Sequence, residues 1–303
     1  MAFKQSVLLV RKKSRLQNYQ EKRGMPRKSI ELQEAHDAHE ACFTAVQNAL
    51  KAHQESVEIC DRADLSAHKV KDRLVVTIGG DGTMLDASHH IHDGMLLGVN
   101  SDPARSVGAL CAATAQTFPS LWQQVLEEQV KVSPVTRIGV MVNGHPLPTY
   151  ALNEILIAHK NPAATSRYQI SFCGREAEHK SSGIWVSTAA GSTGSMLSAG
   201  GHLQLLHDKR LQYLAREPYF SNHAVPDLLV GFLPEGESLA ILSRMETGGY
   251  LYFDGAHHMQ RLPINARVTI HSQVPPLKLI VDAELEERRF QISKLREQYH
   301  QHH

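Results

Sequence analysis

The chain has 303 residues, 42% of them apolar, with 32 Lys and Arg against 31 Asp and Glu and a formal net charge of +1. That is enough apolar content for one large domain or two modest ones, and the even charge balance argues against partners that are nucleic acid or anionic membrane. Cys42, Cys60, Cys111 and Cys173 include no Cys-x-x-Cys pair, which argues against a zinc ribbon or a secreted disulfide scaffold and points to a reducing compartment.

Ser6-Val7-Leu8-Leu9-Val10 reads as the first strand; it is far too short to span a bilayer and is closed at once by Arg11, Lys12 and Lys13. Because it starts almost at Met1, no transit peptide is expected and a cytoplasmic location follows. Leu32, Ala35, Ala38, Cys42, Phe43, Val46 and Leu50 recur at spacings of three and four, the mark of an amphipathic helix. Val57-Glu58-Ile59, Leu74 to Ile78 and Met95 to Asn100 read as further strands. Strand and helix in alternation predict an α/β domain over 1–115, a Rossmann-like parallel sheet covered by helices, with ligands at the carboxyl ends of its strands.

Beyond an expected helix at 117–129 the pattern changes to short β-rich runs divided by turn residues: Arg137 to Val142 before Asn143-Gly144, Tyr168 to Phe172 before Gly174, and Leu239 to Leu242 before Gly248-Gly249. Asn-Gly is a strong hairpin signal. These runs predict a second domain over 116–283, mainly antiparallel sheet, with residues 284–303 returning to the first domain. Nineteen histidines include groups at His89, His90 and His92, at His257 and His258, and at His300, His302 and His303; the middle pair adjoins the Asp254-Gly255 motif, and for the others solvated surface placement or a frayed tail is expected in preference to a metal site.

Gly79-Gly80-Asp81-Gly82-Thr83 follows the apolar run 74–78 directly. Three glycines leave main-chain N–H groups free to approach a phosphate, Asp81 sets one carboxylate beside it, and Thr83 is placed to cap the helix that Met84, Leu85 and Ala87 suggest. A polyphosphate site with a built-in base is the functional reading; a tight strand-to-helix turn is the plain one. A second loop, Ser187 to Ser195 followed by Ser198-Ala199-Gly200-Gly201, is dense in hydroxyls and glycine and suits a nucleotide backbone. Asn153-Glu154 can grip a ribose diol or an adenine edge, although such a pair is common, and Asp254-Gly255 is equally ambiguous alone.

In this order the stretches resemble the NAD kinase family, whose members carry a GGDGT loop, an Asn-Glu or Asn-Asp pair, a TGST segment leading into SAGG, and a late Asp-Gly. Gly98 to Pro103, Ala151 to Glu154 and Lys180-Ser181-Ser182-Gly183 look most like the mitochondrial-type branch. The resemblance implies a two-domain enzyme, with an α/β amino-terminal part and a β-sandwich-like carboxy-terminal part, that transfers the terminal phosphate of ATP, with Mg2+ on the donor, to the 2′-hydroxyl of the adenosine ribose of NAD or NADH. It implies Asp81 as the catalytic carboxylate, Gly79, Gly80, Gly82, Thr83 and Asn100 at the phosphates, and Asn153, Glu154, Lys180, Ser182, Thr193, Gly194, Ser195, Ser198 and Asp254 at NAD. A homodimer or higher homo-oligomer is implied as well. Ser195 stands where an aromatic residue is usual and Ser182 where an acid is usual, which bears on how NAD is held. No Gly-x-x-x-x-Gly-Lys-Ser/Thr loop is present, so ATP is expected to bind through these loops.

Three other readings compete. A lipid kinase of the diacylglycerol or sphingosine type shares the first loop, but the chain has no basic amphipathic membrane-docking stretch. A serine hydrolase would use Ser192 at a relaxed nucleophile elbow, with Asp227 and His257 following. A nucleotide-binding regulator without turnover is opposed by the presence of Asp81.

Overall fold

The run Leu74–Gly79 is buried at every position, as a strand covered on both faces must be, and it occupies the middle of a parallel sheet. The computed structural model describes residues 6–23, 30–53, 57–220 and 225–301; His302 and His303 lie outside them, and the side chain of His300 is not described. The chain divides into two compact units, one of 1–134 with 277–289 and one of 135–276 with 290–303.

In the first unit the sheet runs Val57–Asp61, Val7–Arg11, Leu74–Gly79, Met95–Asn100, Leu277–Val281 and Lys131–Val135, and Ala113–Thr114 pairs with Met95–Asn100. Val7 pairs with Val57 on one side and Leu74 on the other, both in parallel. Alternation within the strands sorts side chains to two faces. Val7 and Leu9, Leu74, Val76 and Ile78, and Leu97 and Val99 share one core with Cys42, Phe43, Val46 and Leu50 of helix Ile30–Lys51 and with Phe118, Leu121, Trp122 and Val125 of helix Phe118–Leu126. That second helix keeps the unit going to Pro134, beyond the expected limit of 115, because its apolar stripe belongs to this core. Leu277–Val281 pairs in parallel with Met95–Asn100 and so returns to this sheet ahead of the expected point, residue 284.

The second unit is a β-sandwich. One sheet runs Arg175–Ser181, Ser166–Phe172, Ser238–Ser243, Arg267–His271, Gly139–Val142 and His145–Pro146. The other runs Val230–Leu233, Leu211–Ala215, Ile184–Ser187, Glu154–His159, Gly249–Phe253 and His258–Leu262. Inward residues of both, Val140, Tyr168, Ile170, Ile241 and Val268 facing Ile155, Ile157, Val186, Tyr213 and Leu251, form a single core. Asn143 and Gly144 both take positive φ, 52° and 80°, the geometry that a two-residue hairpin demands and that Asn-Gly tolerates.

Candidate functional site

At the carboxyl end of Leu74–Gly79 the chain turns straight into helix Asp81–Ser88, with Gly80 as its N-cap. Thr83 is therefore not the cap that was expected; it lies inside the helix, buried, with its hydroxyl turned toward Gly79. A Cβ on Gly79 would sit 2.3 Å from Thr83 Oγ1, so the turn closes only with glycine there. Asp81 does not cap its own helix either. Its Oδ2 accepts from Ala109 N at 2.9 Å and its Oδ1 from Leu110 N at 2.9 Å, which fixes the carboxylate in one orientation. Asn100 frames the loop that supplies those donors: Nδ2 donates to Ser106 O at 2.8 Å and Oδ1 accepts from Asp102 N at 3.2 Å. Its amide thereby helps to shape this loop.

In the second unit three separate stretches meet. Asp254, at positive φ just after strand Gly249–Phe253, accepts from Leu152 N at 2.8 Å on Oδ2, and from Asn153 N at 2.8 Å and Glu154 N at 3.0 Å on Oδ1. The serine-rich segment is sewn to the same turn: Thr188 N donates to Asn153 O at 2.8 Å, Thr188 Oγ1 to Leu152 O at 2.6 Å and Ser187 Oγ to Asn153 O at 3.1 Å. Gly191 lies so close that a Cβ would stand 2.3 Å from Asn153 O. Gly194 and Ser195 then reach Glu154, with Ser195 Oγ donating to Glu154 Oε1 at 3.4 Å.

The side chains at the centre of this cluster are left short of partners. Among the described residues, Asn153 Oδ1 and Glu154 Oε2 are buried and accept no hydrogen bond. Glu154 is only 7% exposed, and burial first, then the negative Asp254, push its carboxyl up to about 8, against a small opposing pull from the Ser195 hydroxyl. It is held mainly neutral at pH 7 and can both donate and accept. Buried polar atoms on two consecutive residues, both without partners, call for a polar ligand.

Not every expected residue comes to this turn. Thr193 is close by, its Oγ1 bonded to Ala190 O at 3.5 Å, and Ser198 Oγ, on the exposed side of a short helix, bonds Gly194 O at 3.4 Å. Lys180 and Ser182 lie at the far end of the strands: Ser187 pairs with Glu154 and Ile184 with Ile157, so the segment before Ile184 is roughly five residues, or about 16 Å, from Glu154. Ser182 Oγ donates to Glu217, and Lys180 borders another cavity together with Arg167 and Arg244. Ser192, the nucleophile of the hydrolase reading, is fully buried, donates to Ala189 O at 2.7 Å and accepts from Gln204 N at 3.0 Å. Asp227 is paired with Arg175. A nucleophile elbow needs an exposed serine, so that reading fails.

Two residues beside the glycine loop escaped the sequence reading. Lys12 was taken as a charge closing the first strand, yet its Cδ lies 3.4 Å from the place of a Cβ on Gly79. His39, buried in the middle of its helix, bonds Lys12 O at 2.9 Å and Ser101 Oγ at 3.0 Å. For Lys12, its place directly after strand Val7–Arg11, at the carboxyl edge of the sheet, was the available signal.

Residues 9–130 match the model of the ATP-NAD kinase N-terminal domain. A protein of Oryza sativa subsp. japonica named "Probable NADH kinase" is 37% identical over 78% of this chain and 83% of its own length. Among solved structures, a yeast NADH kinase complexed with NADH superposes with a TM-score of 0.72 at 17% identity, covering 95% of this chain and 86% of that one. An NAD kinase from Archaeoglobus fulgidus in complex with ATP gives 0.70 at 19% identity, covering 95% and 98%. At those identities the two structures establish the shared fold.

Proposed function

The chain belongs to the NAD kinase family, and from that premise we infer that it phosphorylates NAD or NADH, moving the terminal phosphate of ATP to the 2′-hydroxyl of the adenosine ribose. The observation that carries the acceptor side is the pair of buried, unsatisfied oxygens, Asn153 Oδ1 and Glu154 Oε2. Ribose hydroxyls supply the donors they lack, and a neutral Glu154 can return one to a ribose oxygen. Thr193, Gly194 and Ser195 flank that grip, whereas Asp254 acts through it by holding the backbone of Asn153 and Glu154.

Asp81 is the group proposed to take the proton. Its carboxylate is locked by Ala109 N and Leu110 N, and each oxygen keeps a lone pair for the attacking alcohol. As the oxygen–phosphorus bond forms, the hydroxyl proton passes to Asp81 and the bond to the β-phosphate oxygen breaks, its electron pair leaving with ADP. Magnesium enters as the complex of ATP, and the protein's contribution is orientation and charge. Gly80 and Gly82 bring main chain close to the phosphates, and Thr83 supports the turn from beneath.

A lipid acceptor finds no support among the relatives. Within the described residues no helix is long and apolar enough to cross a membrane. We assign the enzyme to a reducing compartment on the strength of its free cysteines, and to a homo-oligomer on the strength of its family resemblance. The deciding experiment gives the purified protein ATP, magnesium and either NAD or NADH and measures product with an NADP-specific dehydrogenase. Turnover is expected with at least one of them and none with diacylglycerol or sphingosine; a lipid product without a dinucleotide product would refute the assignment.

A further inference from the structure

Ala109 and Leu110, whose N–H groups fix the Asp81 carboxylate, belong to no helix or strand. A carboxylate anchored on loop amides is placed only as firmly as the loop itself. This loop is tied at both ends by side chains from elsewhere. At its entry Asn100 Nδ2 donates to Ser106 O at 2.8 Å, and a Cβ on Gly108 would stand 2.6 Å from that same amide. At its exit Arg288 Nη2 donates to Cys111 O at 2.6 Å, from 177 positions further along the chain.

Arg288 is held in turn by Asp282: Nη1 donates to Oδ2 at 2.6 Å and Nη2 to Oδ1 at 2.9 Å. A planar guanidinium gripped through two parallel bonds has one orientation, so its further bond to Cys111 O is aimed. Cys111 completes the link from its other side, with Sγ 4.0 Å from Asp81 Oδ1 and 3.7 Å from Met84 Sδ. Burial first, then the charge of Asp81, hold this thiol well above its usual range, against an opposing pull from Arg288. It stays protonated and is a weak donor toward the carboxylate.

We propose that Arg288 is a positioning residue for the phosphoryl transfer: through Cys111 O it fixes the loop whose amides aim the Asp81 carboxylate. The assignment rests on the kinase reading above, in which Asp81 takes the proton. The return of Leu277–Val281 to the parallel sheet delivers both members of the brace. Asp282 follows that strand directly, and Arg288 lies in the first turn of helix Leu285–Gln301, which Leu285 seats at 3% exposure. A cavity of about 180 Å³ opens on the brace, bordered by Cys111, Thr114, Thr117, Asp282, Glu284 and Arg288. The place of the guanidinium is therefore within reach of a small solute once the side chain is cut back. A displacement of about 1 Å at a reacting group can cost on the order of a hundredfold in rate, so a slack loop is felt in turnover before it is felt in binding.

The test measures Arg288→Ala and Arg288→Lys, each alone and combined with Asp81→Asn. Arg288→Ala is expected to lower kcat about tenfold or more while the KM values for ATP and the dinucleotide stay within about twofold, the mark of an interaction that serves the transition state. Methylguanidinium, admitted by the cavity, should restore part of that rate to Arg288→Ala and none to Asp81→Asn. Arg288→Lys keeps the charge but replaces the fork with a single ammonium, and should stay severalfold below wild type. With Asp81 already changed to Asn, Arg288→Ala should cost less than about twofold more, because the brace then has no carboxylate to aim. An equal loss in both backgrounds, KM values that rise as kcat falls, or full activity in Arg288→Lys would overturn the proposal. Hydrogen exchange at the Ala109 and Leu110 amides reads the loop without turnover; it should quicken in Arg288→Ala, and unchanged exchange would also overturn the proposal. If wild type phosphorylated neither NAD nor NADH yet these amides exchanged faster in Arg288→Ala, the kinase assignment would fall and the brace on Asp81 would stand.

Discussion

Asp254 holds Glu154 from two directions at once: its Oδ1 accepts the Glu154 N–H at 3.0 Å, and its charge helps to keep the Glu154 carboxyl protonated. The backbone is drawn in while the side-chain charge is pushed out. Burial supplies the larger part of that shift, up to about 8 from an ordinary 4.5.

Glu154 should make stability depend on pH. With its folded value above the unfolded one, the native state binds the extra proton between about pH 4.5 and 8, so stability falls as pH rises through that window, at most about 1.4 kcal/mol per unit. Urea midpoints at pH 5, 6.5 and 8 should fall for the wild type relative to Glu154→Gln. Parallel curves would mean that Glu154 ionises freely in the folded protein.

Asp254→Ala leaves three backbone N–H groups, those of Leu152, Asn153 and Glu154, without their acceptor. A loss of about 2 kcal/mol or more is expected by denaturant unfolding, and the KM for NAD should rise while the KM for ATP stays put. An unchanged KM for NAD would show that the Asn153-Glu154 turn keeps its shape without the clamp.

Asp81→Asn keeps an oxygen acceptor but replaces the other oxygen with a donor that faces the N–H of Ala109 or Leu110. We expect kcat to fall about a hundredfold or more, the scale of general-base effects, with NAD binding largely retained by calorimetry. Full activity in this variant removes Asp81 from the proton transfer.

Gly79→Ala drives a methyl into Thr83, whose Oγ1 would be 2.3 Å away and whose Cβ 3.0 Å. The variant should lose about 1–3 kcal/mol of stability. Adding Thr83→Ala should restore part of it, a coupling of roughly 0.5 kcal/mol or more in a double-mutant cycle. Strict additivity of the two changes would contradict the contact.

Ser192 should not react with a fluorophosphonate, since its hydroxyl is buried and bonded to Ala189 O and Gln204 N. Stoichiometric labelling followed by mass spectrometry would reopen the hydrolase reading.

The sequence by itself determined what depends on neighbours along the chain. The run 74–78 into Gly79-Gly80 specified a buried strand breaking into a glycine turn, the spacing of Cys42, Phe43, Val46 and Leu50 specified the buried face of a helix, and Asn143-Gly144 specified a hairpin, because backbone sterics and side-chain period act over a few residues. The order of the motifs was enough to indicate the family. Only the tertiary structure decided relationships across long stretches of chain. Leu277–Val281 is as apolar as any strand of the sandwich, and nothing local says that it joins the parallel sheet. Asp254 reaches Leu152 across 102 positions, and Lys12 reaches Gly79 from another strand. The capping role expected of Thr83 failed for the same reason: where the helix begins was settled by how Gly79 and Gly80 pack, and that left Thr83 buried beneath the turn. Contacts of this kind arise from strand order and core packing, where a residue's partner is fixed by topology and its own type sets only which partners it accepts.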